Sequence, residues 1–529
     1  MKNSRFFPVH ILFIVVALLP CMRVSAQGNG VLFTDEVTAK QHYFSGNMHE
    51  AARHFDELLR VDSMHYEYNI FAGLSYLHSH IDYQQAVIHF SRALKNPKPD
   101  PYLHFYLGQA YMLCYKFDEA IEQFNICQKK NIKIDKTELP LQRYVQMCEN
   151  AKLLIALRNE VTIENMGTEV NSPYPDYRAY ITADENTLYL TSKQPQNSGA
   201  TLDVDGFKMG DVYCSERVNG VWSKLKKLQS PINSALIEEL AGVTSDGQTL
   251  LLYFNNDKGY DDLFFSKKDK KVFSRPELLS LTVNSEQTEE AAMISPDGNW
   301  IFFSSNRPDG FGGMDIYYSR RLPNGEWSNA RNAGSNINTE YDDNFPYIAP
   351  DGETFFFSSK GHNSMGGYDL FRSTWNAEEQ FFSIPENLAF PINTPDDNCT
   401  ISVTKSGRYG YIADFRPNGV GETDVYKVTF LEVAAPYTVV KGEIEGVDST
   451  AVLQSVDRYK VVVRDAGTKK EVGTYRPDLH DGRFTFILQP GFYLVDLYTD
   501  GKPAKSVELV IADREPDRDI QTIQLKSNQ

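Results

Sequence analysis

The middle of this 529-residue chain repeats one unit five times, and nothing else in the sequence constrains the fold as tightly. The clearest copy is SSNRPDGFGGMDIYYSRRLPNGEW, residues 304–327; it recurs as APDGETFFFSSKGHNSMGGYDLFRS, residues 349–373. A turn opens each copy, at Glu185-Asn186, Asp246-Gly247, Asp297-Gly298, Asp351-Gly352 and Ser406-Gly407, with spacings of 61, 51, 54 and 55 residues. An apolar or aromatic strand follows each turn (187–190, 250–253, 300–303, 354–357, 409–412). A further strand is led by Asp211, Asp262, Asp315, Asp369 or Asp424, and a fourth ends in Trp222-Ser223, Phe273-Ser274, Trp327-Ser328 or Phe382-Ser383. Asn219-Gly220 and Asn324-Gly325 favour two-residue hairpins, because both turn positions need positive φ.

With an inner strand before each turn, the unit has four strands. Four-stranded units at this period predict a β-propeller, each unit stacking on its neighbours to bury a common core. The fifth unit lacks its last strand after 426–430, while Val161-Thr-Ile-Glu-Asn165 stands unpaired before the first. An N-terminal strand completing the last blade would close the ring and remove its open edges. Five closed blades are expected, with six as the alternative. The pattern SPDGxxIxFxS…GGxDIYxS resembles the TolB-like propeller (the WD40-like PD40 repeat), in the version found in exported OmpA-associated proteins. That resemblance covers residues 161–432 and implies a periplasmic protein-interaction platform, not an enzyme.

Upstream, the period becomes helical. Phe55, Phe90 and Phe124 are 35 and 34 residues apart, as are Ala51, Ala86 and Ala120. Gly73…Tyr76 and Gly108…Tyr111 precede the second and third copies, with Ala39…Tyr43 a looser first. A small residue where two helices cross, with Ala and Phe on the partner helix, resembles the 34-residue tetratricopeptide repeat. Residues 30–158 are read as three such repeats with a capping helix at 141–157 and a turn lengthened by one residue around His80 to Asp82. The resemblance implies a concave groove with Lys40, Phe44, Leu74, His78, Gln109 and Leu113 along it; whether it takes a partner or packs on the next domain stays open.

After Pro436 the composition changes. Residues 439–443, 459–464, 483–488, 492–498 and 506–511 alternate as strands, with a Pro490-Gly491 turn. VVVRDAGTKKEVG…DGRFTFILQPGFYLVDL resembles the carboxypeptidase-regulatory-like β-sandwich over 436–526, a module without catalytic apparatus. Asp496 and Tyr498 read as ordinary strand residues.

The charge and the first residues bound the setting. A net charge of −17 and pI near 5.2 argue against a nucleic-acid binder and disfavour an anionic membrane surface. Residues 1–26 read as a signal peptide: Lys2 and Arg5, an apolar run, then Val24-Ser25-Ala26. Loss of Lys2, Arg5 and Arg23 takes the charge from −17 to −20. Cleavage after Ala26 is expected; a lipid on Cys21 is the alternative, against which Pro20 stands. No later stretch offers the roughly 20 apolar residues of a transmembrane helix, so only peripheral outer-membrane association is open. The remaining five cysteines form no CxxC pair and read as small buried residues.

Acidic pairs also recur: Glu238-Glu239, Glu289-Glu290, Asp342-Asp343 and Asp396-Asp397, each before an inner strand. They are expected at one mouth of the central channel, as turn-capping structure, as an acidic docking ring or as a hard-cation site. With no GxSxG, HExxH or Walker loop, the expectation is a non-enzymatic exported scaffold for envelope proteins, in the periplasm or at the outer membrane, without cofactor or metal. The domain order resembles envelope proteins linked to type IX secretion, without their OmpA-like domain. The alternative is a glycan- or peptidoglycan-fragment-binding module.

Overall fold

The computed structural model describes residues 35–136, 138–199, 202–203, 205–234, 238–255, 261–417, 419–445, 458–478, 481–515 and 521–526. The expected export segment, with Cys21, lies outside them. Seven helices come first: α1 (Glu36–Phe44), α2 (Met48–Leu59), α3 (Tyr66–Ser79), α4 (Tyr83–Ala93), α5 (Leu103–Leu113), α6 (Phe117–Lys129) and α7 (Leu141–Leu157). Among the described residues no helix is long and apolar enough to cross a membrane.

The 34-residue spacing becomes helix-on-helix packing. Ala51, Ala86 and Ala120 are fully buried, as are Phe55 and Phe90. A Cβ on Gly73 would lie 2.6 Å from the Phe90 ring, and one on Gly108 equally close to Phe124, so the helices cross where only glycine fits. The extra residue of the second copy is Ile81. His80 ends α3 in the left-handed region (φ 59°) and two residues then precede α4, against one after Gly46 and one after Tyr115.

Five antiparallel sheets follow in a propeller-like arrangement, here called I to V. Their second and third strands are Thr187–Ser192 with Asp211–Val218, Thr249–Asn255 with Asp261–Asp269, Trp300–Ser305 with Asp315–Arg320, Thr354–Ser359 with Asp369–Asn376, and Tyr409–Asp414 with Asp424–Phe430. The inner strands are Asp176–Ile181, Glu239–Val243, Glu289–Ile294, Asp343–Ile348 and Ile401–Val403. The outer strand of sheet V is Val161–Asn165, antiparallel to Asp424–Phe430 with Ile163 opposite Val428. Bonds between sheets run around the ring: the Tyr180 hydroxyl donates to Ala241 O (3.1 Å), the Tyr347 hydroxyl to Val403 O (3.1 Å), and Ile181 N to Ser402 Oγ (2.9 Å), which joins I to V.

Each joint between sheets uses one buried asparagine. Asn233, Asn284, Asn338, Asn393 and Asn171 are at most 5% exposed. Each accepts from the backbone N–H and donates to the carbonyl of one residue in the preceding sheet's third strand: Val212, Leu263, Ile316, Leu370 and Val425, at 2.8–3.0 Å. The next residue, Ser or Thr, then bonds to the side chain that opens the following inner strand: Ser172 to Asp176, Ser234 to Glu238, Ser285 to Glu289, Thr339 to Asp343 and Thr394 to Asn398. The connector from the N-terminal strand into sheet I repeats the chemistry of the four internal connectors.

After sheet V come two smaller sheets: Arg483–Leu488, Thr438–Glu445 and Gln521–Lys526 in one; Glu471–Tyr475, Tyr459–Asp465, Gly491–Thr499 and Lys502–Ile511 in the other. Val440, Phe484, Val461, Val495 and Leu525 lie in the core they share. Asp496 bonds to Arg464, which also donates to the Tyr498 hydroxyl at 2.9 Å.

Asn338 satisfies Ile316 N and O and donates to Asn332 Oδ1 (2.9 Å). Its loss leaves buried peptide groups unpaired, at about 1–3 kcal/mol each. Asn338→Ala is therefore expected to destabilise the protein by about 2–4 kcal/mol in urea titrations; a change within experimental error would show that the joint does not support the fold.

Candidate functional site

The recurring acidic pairs do four different jobs. Glu238, Glu289 and Asp343 are the buried acids of the joints. Burial pushes Asp343 up to about 7, with the hydroxyls of Ser359 and Thr339 and the Thr339 N–H opposing it. Glu289 also accepts from Ser285 Oγ (2.6 Å) and pairs with Arg307 (3.1 Å). Asp342 and Asp397 cap the loop ahead of a third strand, accepting from Met314 N (3.1 Å) and Tyr368 N (2.7 Å). A Cβ on Gly313 or Gly367 would lie 2.1 or 1.9 Å from those carboxylates, which accounts for the Gly-Gly of the repeat.

Glu239 and Glu290 are the acids that meet around one cation, Arg178. Its guanidinium donates to Glu290 Oε1 (2.9 Å) and to the carbonyls of Leu240 (3.1 Å) and Glu290 (3.2 Å), and lies 3.5 Å from Glu239 Oε2. It stacks 4.7 Å over the Tyr253 ring and 5.0 Å over Phe345. Glu239 further accepts from the hydroxyls of Tyr177 (2.9 Å) and Tyr253 (2.5 Å), and Glu290 from Asn344 Nδ2 (3.0 Å). Burial opposes the charge on Arg178, but Tyr253, Glu290 and Glu239 outweigh it and its pKa rises. The inner strands of sheets I to IV thus share a polar cluster in which one guanidinium holds two carboxylates. It does not offer an open ring of carboxylates.

Asp396 turns outward, to the helices. It accepts from the Tyr83 hydroxyl and from His80 Nδ1 (3.1 Å), the residues flanking the lengthened turn. Other hairpin turns reach the same end of the sheets. His49 Nε2 lies 3.0 Å from Glu422 and its ring 5.6 Å from Phe207 of the first-unit insertion; the Tyr115 ring is 6.3 Å from Phe390. From α7, buried Arg143 donates to the carbonyls of Lys360 (2.7 Å), Gly361 (2.6 Å) and His362 (3.1 Å), and Asn150 to Ser364 O (3.0 Å). The irregular insertion, the acidic end and the helical array meet in one junction.

Of the expected groove positions, Lys40, Phe44 and Gln109 make none of these contacts among the described residues. Phe44 is 63% exposed and touches only the rings of Tyr43 and Phe71 among the described aromatics. Lys40 pairs with Glu36 (2.6 Å) and Glu67 (3.2 Å), and Gln109 donates to the Tyr144 hydroxyl (3.2 Å). Leu74 is buried in the array's own core; His78 and Leu113 are half-buried. Sequence reasoning missed Arg178, Arg143, His80 and Tyr83. It also missed the joint asparagines, although an Ile/Val-Asn-Ser/Thr triplet recurs at 170–172, 232–234, 283–285, 337–339 and 392–394.

No family model and no curated protein matches the chain. Solved structures similar to it include TolB from Acinetobacter baumannii (13% identity, TM-score 0.30, 55% of this chain and 71% of that one). An α-L-arabinanase from Penicillium chrysogenum (11%, 0.30, 52% and 99%) and an α-L-arabinofuranosidase from Lactobacillus brevis (12%, 0.31, 49% and 92%) stand at the same level. These likenesses single out no activity.

The junction has a pH signature. Burial lowers the basicity of His80, but Asp396, then Glu422 and Asp397, outweigh it and raise it to about 9; Asp396 is held below its usual value, burial opposed by His80 and Tyr83. His80 therefore stabilises the docked array fully below about 6.5, its unfolded value, and the contribution is lost as pH rises through about 9. Wild-type protein is expected to lose more Tm than His80→Gln between pH 7 and pH 10; equal losses would remove His80 from the junction's energetics.

Proposed function

We propose that the chain is an exported, non-enzymatic scaffold that holds envelope proteins in the periplasm or at the periplasmic face of the outer membrane. Residues 30–158 form the tetratricopeptide array, 161–432 a five-bladed TolB-like propeller and 436–526 a carboxypeptidase-regulatory-like sandwich, behind a signal peptide at 1–26. One observation carries the reading: the array is mounted through its hairpin turns and α7, while Lys40, Phe44 and Gln109 on the first-helix row take no part in the contacts that mount it. A repeat array that uses its edge for attachment keeps its concave row for a partner.

The acidic residues support the same reading from the other side. Glu238, Glu239, Glu289, Glu290, Asp342, Asp343, Asp396 and Asp397 are occupied by joints, caps, Arg178 or the array. In this reading they build and position the platform, and the partner is held by the helical row, with Phe44 as its exposed aromatic anchor.

The test is affinity capture from envelope extract with the mature protein and a Lys40→Glu/Phe44→Glu variant. Wild-type protein is expected to retain a defined protein that the variant loses at least ten-fold. Equal capture by both, or retention only on glycan beads, would contradict the scaffold reading.

A further inference from the structure

A cleft of about 380 Å³ opens between sheets II and III, at the end of the strands opposite the helical array. Phe265, Leu279, Ile294 and Trp327 give it an apolar floor, and Lys267 and Arg321 stand at its rim. Lys267 lies 5.6 Å over the Phe265 ring and Arg321 5.5 Å over Trp327. Arg321 Nε donates only to Gly325 O (3.3 Å), and among the described residues neither cation has a carboxylate partner. The two acids of the cleft are engaged locally: Asp246 accepts from Thr244 Oγ1 (2.7 Å) and Gln248 N (3.0 Å), Glu326 from Asn324 Nδ2 (3.0 Å).

The repeat supplies an occupied counterpart. Arg217 N bonds to Asn186 O (2.8 Å) in sheet I as Arg321 N bonds to Asn299 O (2.7 Å) in sheet III, so the two arginines are equivalent. In the seam between sheets V and I, Arg217 meets the Glu185 carboxylate at 2.9 Å, which also takes Lys427 at 2.7 Å. The first turn is Asp184-Glu185, one residue earlier than the Glu185-Asn186 expected from sequence, because Asp184 takes the Thr182 hydroxyl as Asp297 takes that of Ser295; the residue equivalent to Glu185 is therefore Gly298, and the carboxylate at Arg321 is missing. The same V–I seam is filled by an acidic stretch of the chain itself. Glu515 accepts from Thr404 Oγ1 (2.7 Å) and Ser406 N (2.8 Å), its N–H donates to Glu185 (2.7 Å), and Asp513 accepts from the Tyr409 hydroxyl (2.6 Å).

We propose that the II–III cleft binds an extended acidic peptide segment of a partner protein, its carboxylate bridging Arg321 and Lys267 as Glu185 bridges Arg217 and Lys427. A neighbouring apolar side chain rests on Leu279, Ile294 and Trp327. Charge complementarity selects the ligand: both cations lie over aromatic rings with no carboxylate in ion-pair contact among the described residues, whereas Asp246 and Glu326 are held by neutral donors of their own turns. The site is independent of the helical row and would serve a second partner or a second segment of the same one.

The probe is a fluorescein-labelled peptide of residues 509–515, Leu-Val-Ile-Ala-Asp-Arg-Glu, titrated against the full mature chain by anisotropy. Saturable binding is expected, weakened at least ten-fold by Arg321→Glu, by Gly298→Glu, and by replacing the peptide's acids with amides. Gly298→Glu installs the carboxylate that sheet I already carries at a comparable φ (56° at Glu185, 72° at Gly298), so the fold is expected to tolerate it. Arg321→Glu changes an exposed side chain and decides the matter if Gly298→Glu lowers Tm. Absence of saturable binding, or equal binding by wild type and Arg321→Glu, would overturn the proposal; the latter would place the peptide in the V–I seam.

Discussion

The structure depends on a buried asparagine that takes both the N–H and the C=O of one residue in a neighbouring strand. In an apolar interior those two groups must be paired, and a connector loop cannot pair them by regular sheet bonding. Asn233, Asn284, Asn338 and Asn393 do so at the four internal joints, and Asn171 does it where the chain returns to its start. Ring closure is thus chemically the same event as each step around the ring. Asn165, Asn332 and Asn387 extend the joint by linking it to Asp424, Asp315 and Asp369, which in turn cap the Gly-rich loops.

What the repeat leaves irregular is where the rest of the protein attaches. One inserted residue, Ile81, lets His80 and Tyr83 reach Asp396; the long loop of sheet I brings Phe207 to His49. At the opposite end, the fifth turn carries Ser406 where the four others carry Asp, and Glu515 of the last module supplies the carboxylate to which the Thr404 hydroxyl donates. Both neighbours are therefore fixed to the sheets through departures from the repeat. An account of function follows from that division: the regular residues build a rigid body, and the exceptions set which surfaces stay available.

Periodicity made much of this legible. Alternation placed the strands, the 51–61-residue spacing grouped them, and the unpaired stretch Val161-Thr-Ile-Glu-Asn165 was readable as the strand that pairs with Asp424–Phe430. The acidic pairs were legible as a repeat but not in their roles, because a shift of one residue along a strand exchanges a joint for the channel axis. Glu239 and Asp342 look alike in sequence; one faces Arg178 and the other caps Met314. Arg178 could not be singled out locally, since its partners come from three other sheets. The joint asparagines were visible as a triplet, yet their small size and ordinary loop composition hid them beside the Asp-Gly turns.

The central claim is that the ring is closed by the N-terminal strand and behaves as one cooperative body. Hydrogen–deuterium exchange of an Ile163→Pro variant tests it most directly, since proline removes a ladder N–H and disrupts the pairing of Val161–Asn165 with Asp424–Phe430. The account predicts that protection falls in sheet V and also in the inner strand Asp176–Ile181 of sheet I, which lies across the closing joint. Loss confined to residues 161–165, with sheets V and I as protected as in wild type, would contradict it.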